Sequence, residues 1–451
     1  MLSFKTAETI LEPAIATPVV GKFDVIVLGG GPAGITAAVA AARAGHTVLL
    51  VERYGFLGGM GTAAGVTNFC GLYANVFGEI RQVVHGVADD FLAGIDKLGG
   101  LNAPHLIFQK TYGLAYDTSA FKMAADELLL DAGVEILFHA LAVGVIMSDS
   151  ETIRGLALET KSGRGIALAS MFIDCSGDGD LAAWAGVDYE TGDSTGNTLY
   201  PSTMFRLNSV DSDRAIAASK EMDARMAEAE KHGFRFPRKT PIVKPQKNSI
   251  EWRANVTQIA NEDGTAINGV NAIQLSASEI EGRRQIADVF RFLKTVPGFE
   301  QSYIVDIPPQ VGIRETRRIV GEYQLTEEDV IGCASFSDTI GVNGWPLELH
   351  EAGDVTFRWQ PIPDSRGFNQ LPYRMLVPHR IDNLLVAGRC ASMTHEGQSA
   401  ARVSGACFVM GQAAGTAASL AIASGCSPRN IDVTRLQAEL ERDGAYLGRD
   451  L

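Results

Sequence analysis

The sequence predicts an α/β fold in which a parallel sheet with flanking helices is interrupted by a second, α+β unit. Three observations carry this. Residues 23–29, FDVIVLG, are a short β-branched run closed by glycine, the pattern of a buried strand. Residues 32–45 are alanine-rich and stop at Gly45, the pattern of a helix, and 47–51, TVLLV, is a second strand, so the three make one right-handed βαβ unit. The strand–glycine–helix grammar returns at 384–420, as NLLVAGR, a polar turn and VSGACFVMGQAAGTAASLA.

Between these ends the elements follow in order. Residues 119–132 read as a helix and 134–137 as a strand. Two further apolar strands near 141–147 and 153–160 resemble a meander, and MFIDCSGDGDLAAWAG is strand, glycine turn and helix. From about residue 196 strand-like pieces alternate with a charged helix over 211–231, a proline-rich loop over 237–245 and a long helix over about 276–294. The division that follows is an extended arm over 1–22, a discontinuous nucleotide-binding domain over 21–195 plus 365–430, an inserted substrate or cap domain over 196–364, and a short amphipathic helix and tail over 431–451.

Bulk properties narrow the partners. The net charge is −14, and no basic stripe follows a helix or face, which argues against nucleic acid. The local run Arg235, Arg238, Lys239, Lys244 and Lys247 is broken by three prolines and reads as a solvated loop in preference to a patch for an acidic substrate. The six cysteines show no C-x-x-C spacing, so neither a zinc site nor a dithiol centre is indicated. Their sparse use fits a reducing compartment. No uncharged run of membrane-spanning length lies outside the Ala/Gly-rich helices, and no signal-peptide pattern opens the chain, so a cytoplasmic location is expected.

The most specific signal is Gly29-Gly30-Gly31-Pro32-Ala33-Gly34, a G-x-G-x-x-G directly after a strand and opening a helix. Gly29 permits the tight turn, Gly31 lets the backbone approach a pyrophosphate, and Gly34 lets helix and strand meet closely. Free N–H groups at the helix start favour phosphate. Glu52, 21 residues after Gly31, ends the second strand, where its carboxylate accepts from a ribose diol and repels a 2′-phosphate. The fingerprint by itself does not choose between FAD and NAD.

Together with GFLGGMGT at 55–62, this segment resembles the FAD-dependent oxidoreductases of the glutathione-reductase-like superfamily, with IDCSGDGD and LLVAGRCAS at the places of their later motifs. PPQVGIRETRRIVGEYQLTEEDV, LELH, GRCASMTHEG and GQAAGTAA resemble the broad FAD-dependent oxidoreductase family that includes the flavin module of heterodisulfide reductase. The resemblance covers nearly the whole chain. It implies a Rossmann-type FAD-binding domain with the three-layer ββα architecture of the glutathione-reductase type, and FAD as cofactor. It puts Gly29, Gly31, Pro32, Ala33, Gly34, Glu52 and Arg53 on the ADP half, and Gly59, Met60, Gly61 and Thr62 near the pyrophosphate and flavin. Ala142 and Val143 would offer backbone to adenine, with Ser176 and Gly177 in the middle motif. Gly388 and Arg389 would approach the pyrophosphate–ribityl region, and a helix starting after Gln398, with Gly397 and Ser399 beside it, would aim its N-terminus at the flavin pyrimidine. The iron–sulfur cysteine inserts of the heterodisulfide module are missing here, which puts that activity in doubt.

A flavin carries hydride chemistry itself, so the protein must position a substrate and move a proton. His395 and His350 are the candidates for the proton, because imidazole titrates near neutrality. Arg314 is the candidate for holding a substrate carboxylate. With Arg317 and Arg318 it also reads as a source of structural ion pairs to Glu315 and Glu322, the favoured reading for the group. Trp359, Tyr373, Arg374 and Cys390 read first as packing residues. The function expected is transfer of hydride from a small organic substrate to flavin by a dehydrogenase or oxidase. The alternatives are a reductase or monooxygenase using NAD(P)H, and an electron-transfer subunit of a larger complex. The substrate, the other electron carrier and the oligomeric state are left open, with a homo-oligomer possible.

Overall fold

A computed structural model describes residues 9–450. Its central sheet holds the strands Glu135–Leu137, Val48–Val51, Val19–Leu28, Gly163–Asp174 and Leu384–Val386 side by side and parallel. These strands are continuous apolar runs because both faces are covered. The 12-residue strand Gly163–Asp174 serves two layers. From Ile166 to Asp174 it pairs in the parallel sheet, and from Gly163 to Leu168 its other edge joins the antiparallel meander Leu141–Met147 and Ile153–Thr160. Helices Pro32–Arg43, Thr118–Asp131 and Ser404–Ser424 supply the α layer. The result is the ββα Rossmann-type architecture that the sequence predicts.

The α layer is held by an unusually close helix crossing. A Cβ on Gly411 would lie 2.1 Å from the Ala33 carbonyl oxygen, and one on Gly415 would lie 2.2 Å from that of Ala37. Thr36 Oγ1 donates to the Phe408 carbonyl at 3.0 Å across the same contact. Ser404–Ser424 is the one described helix long and apolar enough to cross a membrane, and it is largely buried inside this fold.

The inserted unit has its own core. An antiparallel sheet runs Ile242–Pro245, Trp252–Asn255, Phe205–Asn208, Tyr303–Asp306. Phe205, Trp252, Ile286 and Phe292 join it to helix Ala272–Leu293 and to helices Ser212–Ser219 and Met222–Lys231. The charged helix expected over 211–231 is therefore two, broken at Lys220–Glu221, and part of the expected proline-rich loop is the strand Ile242–Pro245.

The expected boundaries also shift. Ile319, Leu325, Ile340, Val342 and Leu347, assigned to the cap by sequence, belong to the main core, since strand Thr339–Asn343 pairs with Asn369–Pro372 and lies against the flavin-side helices. Leu436, Leu440 and Leu447 of the tail join that core as well. Of the expected arm, residues 1–8 lie outside the described residues, residues 9–18 have no regular structure, and the first strand begins at Val19.

Candidate functional site

At the carboxyl ends of the central strands, where Val19–Leu28 gives way to strands on either side, one cavity of about 620 Å³ runs from the glycine turn to the underside of the cap. Strand ends at such a switch point are where open α/β sheets bind ligands.

The dinucleotide end is built from backbone. Gly29 stands at φ +100, and a Cβ there would lie 2.4 Å from the Cys175 carbonyl oxygen. A Cβ on Gly34 would lie 1.8 Å from the Gly29 carbonyl oxygen, so Gly34 packs behind the turn and does not line the cavity. A Cβ on Gly31 would meet only Gly59 Cα, at 3.8 Å, leaving the approach open. Helix Pro32–Arg43 starts here with no side-chain cap and no acid in its first turn. Its first N–H groups therefore face the cavity ready for phosphate.

Glu52 is held in place by two backbone donors: Gly30 N–H at 2.8 Å and Tyr54 N–H at 3.0 Å. Gly29, Gly31, Pro32, Ala33, Glu52 and Arg53 all line the cavity, as do Gly59, Met60 and Gly61. Ala142, Ser176, Gly177, Gly388 and Arg389 line it too. Arg389 is fixed by Asp178 at 2.8 Å and Thr316 at 3.1 Å. Backbone cleared for pyrophosphate, a fixed carboxylate for ribose and an uncapped helix start fit a bound FAD. Thr62 and Val143 lie outside the lining; the Thr62 hydroxyl instead donates to the Leu57 carbonyl at 2.7 Å.

The helix expected after Gln398 departs from expectation. Thr394 caps a seven-residue helix His395–Ala401, the chain is extended at Val403, and a second helix starts at Ser404. Arg402, Val403, Ser404 and Cys407 reach the cavity, whereas Gly397, Gln398 and Ser399 do not. A Cβ on Gly397 would lie 2.0 Å from the Leu325 carbonyl oxygen, and the Ser399 hydroxyl donates to the Glu396 carbonyl at 2.7 Å. Gln398 donates to the Arg314 carbonyl at 2.8 Å, which positions Arg314 and not a cofactor.

His395 also falls outside the lining. Its Nδ1 lies 2.9 Å from Oε2 of the fully buried Glu315 side chain. Glu315 further pairs with Arg318 and accepts from Leu199 N–H at 2.9 Å. This is the structural ion cluster that the GIRETRR segment suggested for Arg318. Arg317 pairs with Asp180 at 2.8 Å. Glu322 binds Arg429 at 2.6 Å instead of the GIRETRR arginines. Tyr373 and Arg374 are likewise structural, bonded to the Pro428 carbonyl at 2.8 Å and Asp338 at 2.9 Å. Trp359 packs with Phe357 and Trp345. Cys390 is buried, and burial pushes its thiol well above the ordinary value.

His350 and Arg314 do line the cavity, at its cap end. His350 and Glu348, two residues apart, share one face of strand Leu347–Glu351, with Nε2 of His350 at 2.9 Å from Glu348 Oε1. The Trp345 indole N–H donates to Glu348 Oε2 at 2.8 Å. Burial opposes ionisation of Glu348, but the bonds from His350 and Trp345 and the charge of Arg402 prevail and hold its carboxyl down at about 2. Burial, then the charge of Arg314, pushes His350 well below the ordinary imidazole range. The pair is therefore a carboxylate beside a neutral imidazole that donates from Nε2.

Sequence reasoning missed the rest of this wall. Arg238, Arg253 and Arg402 line the cavity with Arg314, and Ser202 and Asn255 lie beside them. Arg238 is 1% exposed, which corrects the reading of its basic run as a solvated loop. One signal was present for Arg402, a lone cation inside a run of small and apolar residues. Another was present for Glu348, two residues from His350 on a strand-like stretch.

The family described as "FAD dependent oxidoreductase" matches residues 24–440. The chain belongs to that family. This FAD-dependent oxidoreductase is 29% identical over 169 residues to a digeranylgeranylglycerophospholipid reductase of Methanosarcina mazei, covering 37% of this chain and 41% of the relative. It is 36% identical over 97 residues to a urocanate reductase of Eggerthella lenta, covering 20% of this chain and 15% of the relative. The matches thus span less than half of either curated relative. Among solved structures, a geranylgeranyl bacteriochlorophyll reductase-like protein of Thermoplasma acidophilum aligns over 94% of this chain and 83% of its own, with 14% identity and a TM-score of 0.45. The p-nitrophenol 4-monooxygenase PnpA of Pseudomonas putida aligns over 95% and 88%, with 14% identity and the same TM-score of 0.45.

Proposed function

We propose that this FAD-dependent oxidoreductase moves hydride between flavin and a small organic substrate bound at the cap end, acting as a dehydrogenase or oxidase. The observation that supports it is the continuity of one cavity from the Gly29–Ala33 turn to His350, Arg314 and Arg402. Bound FAD would supply hydride acceptance or donation at its N5. The chain's own residues do the remainder. Gly29–Ala33 and Glu52 hold the ADP half. The uncapped start of helix Ser404–Ser424 faces the cavity and favours negative charge there. His350, oriented by Glu348, is the group placed to take the substrate's proton at Nδ1 as its C–H electrons leave as hydride.

Kinship with the flavin module of heterodisulfide reductase is part of the same proposal, supported by segments 308–330, 347–350 and 388–418. We propose a small-molecule substrate, an electron partner still to be found and no nucleic acid as the partners. The test is anaerobic bleaching of the flavin by a panel of small metabolites. Bleaching by a member of the panel, slowed in His350→Gln at unchanged FAD content, is the expected result. Fast NAD(P)H oxidation with no bleaching by any organic substrate would replace this reading with the reductase or monooxygenase one.

A further inference from the structure

The cap end of the cavity holds more positive charge than its surroundings neutralise. Arg238, Arg253 and Arg314 are at least nine-tenths buried, and Arg402 is partly buried at the head of helix Ser404–Ser424. The chain's other buried guanidiniums near the cofactor end are paired with carboxylates, Arg389 with Asp178 at 2.8 Å and Arg318 with Glu315. Among the described residues none of these four forms an ion pair. Arg314 bonds only to the Tyr200 carbonyl at 2.6 Å and the Ser202 hydroxyl at 2.8 Å. Arg238 bonds to the Thr240 carbonyl at 2.7 Å and to Asn255 at 2.9 Å, and Arg253 to the Val66 carbonyl.

Three of their nitrogens are buried with no partner: Arg238 Nη2, Arg253 Nε and Arg402 Nε. The one carboxylate at this end, Glu348, has its oxygens taken by His350 and Trp345. Burial lowers the affinity of each guanidinium for its proton, and the charges of Arg402 and Arg238 add to this at Arg314, as that of Arg253 does at Arg238. Buried cations left with free donors are costly unless a ligand completes them.

We propose that the substrate of this site is a small dicarboxylic acid, bound as its dianion among Arg238, Arg253, Arg314 and Arg402. The inference rests on the reading of this cavity as the redox site. The guanidinium fork matches a carboxylate in two parallel bonds, and four guanidiniums without carboxylate partners offer more forks than one carboxylate fills, so two carboxylates on one molecule match them. The dianion would also shield His350 from the charge of Arg314, raising its capacity to accept a proton where the reaction requires it.

The test uses the FAD-loaded protein. The visible flavin band is titrated with malonate, succinate and glutarate, and with acetate and inorganic phosphate, all at constant ionic strength. One dicarboxylate is expected to perturb the band saturably and bind about tenfold or more tightly than acetate or phosphate. Arg238→Gln and Arg253→Gln are expected to weaken it about thirtyfold or more while FAD content stays unchanged. Dicarboxylates no tighter than acetate, or phosphate as tight as any of them, overturn the proposal. So do variants that lose FAD, which would assign the arginines to the cofactor. Should the variants fail to fold, the wild-type comparison of succinate with acetate decides alone. Succinate binding in a protein whose flavin no organic acid reduces keeps this inference and removes the hydride-transfer reading. Bleaching by a neutral substrate, with indifference to every dianion, does the reverse.

Discussion

The two ends of the cavity solve the problem of binding negative charge in opposite ways. At the dinucleotide end the donors are backbone amides at a helix start, shaped by glycines, and Glu52 is satisfied by two backbone N–H groups. The buried cation there, Arg389, is already paired with Asp178. At the cap end the donors are four guanidiniums from separate parts of the chain, and Glu348 is already committed to His350 and Trp345. The first end is complete without its ligand and the second is not. Preorganised amides cost little to keep, whereas unpaired buried cations cost several kcal/mol each by general estimates.

The largest effect that sharpens this contrast belongs to Gly31. Gly31→Val puts a side chain where the open approach lies, in a backbone conformation of φ −75 that valine adopts freely. Flavin content of the purified variant should fall by about tenfold or more, and the stability of the apoprotein should change by no more than about 0.5 kcal/mol. A variant that keeps its FAD would break the assignment of this end.

Next comes His350→Gln. If His350 accepts the substrate proton, kcat should drop by about 10²- to 10⁴-fold with FAD content preserved. An unchanged kcat would leave the cap end with a binding role only.

Glu348 provides a pH test. Its carboxyl sits at about 2, against an ordinary 4.5, so it stabilises the fold fully above pH 4.5 and loses that contribution as pH falls through that value towards 2. The shift corresponds to about 3 kcal/mol. His350, held well below its ordinary 6.5, acts in the same direction, stabilising above that pH and progressively destabilising as acid rises below it. Denaturant midpoints measured from pH 7 downward should therefore fall in acid, and Glu348→Gln should flatten the lower part of that slope. The same variant should cost about 3–5 kcal/mol at neutral pH, since it strips the arginine wall of its one carboxylate. A neutral effect would show that the wall tolerates its charge unaided.

The smallest effect is expected at His395. Outside the cavity and in contact with Glu315, which Arg318 and the Leu199 amide already hold, it should give His395→Gln a kcat within about threefold of wild type and a stability loss of no more than about 1 kcal/mol. A large loss of kcat at preserved FAD content would move the proton chemistry back to the turn after Arg389.

The two candidate histidines show what could be read in advance and what could not. Both stand in segments that sequence reasoning placed near a flavin, and both are paired with a glutamate. Only the rotation of strand Leu347–Glu351 puts His350 on the cavity wall, while the early helix at His395–Ala401 turns His395 towards the ion cluster. The same holds within GIRETRR. Arg318 takes the expected pair with Glu315, Arg317 pairs with Asp180 instead of Glu322, and Arg314 is left facing the cavity without a carboxylate. Arg238 is the sharpest case. Three prolines and a basic run describe a solvated loop equally well whether or not the strand that follows it pairs with Trp252–Asn255, and that pairing carries it into the interior.

Sequence by itself determined the dinucleotide end, because a glycine turn, a helix start and an acid at a fixed distance are local features whose spacing sets their geometry. It determined the β-branched strands and the small-residue helices for the same reason. The arginine wall, the choice between histidines and the domain boundary were decided by tertiary structure alone. They depend on which distant segments meet, and no local pattern records whether a cation will find a carboxylate partner on the strand that packs against it.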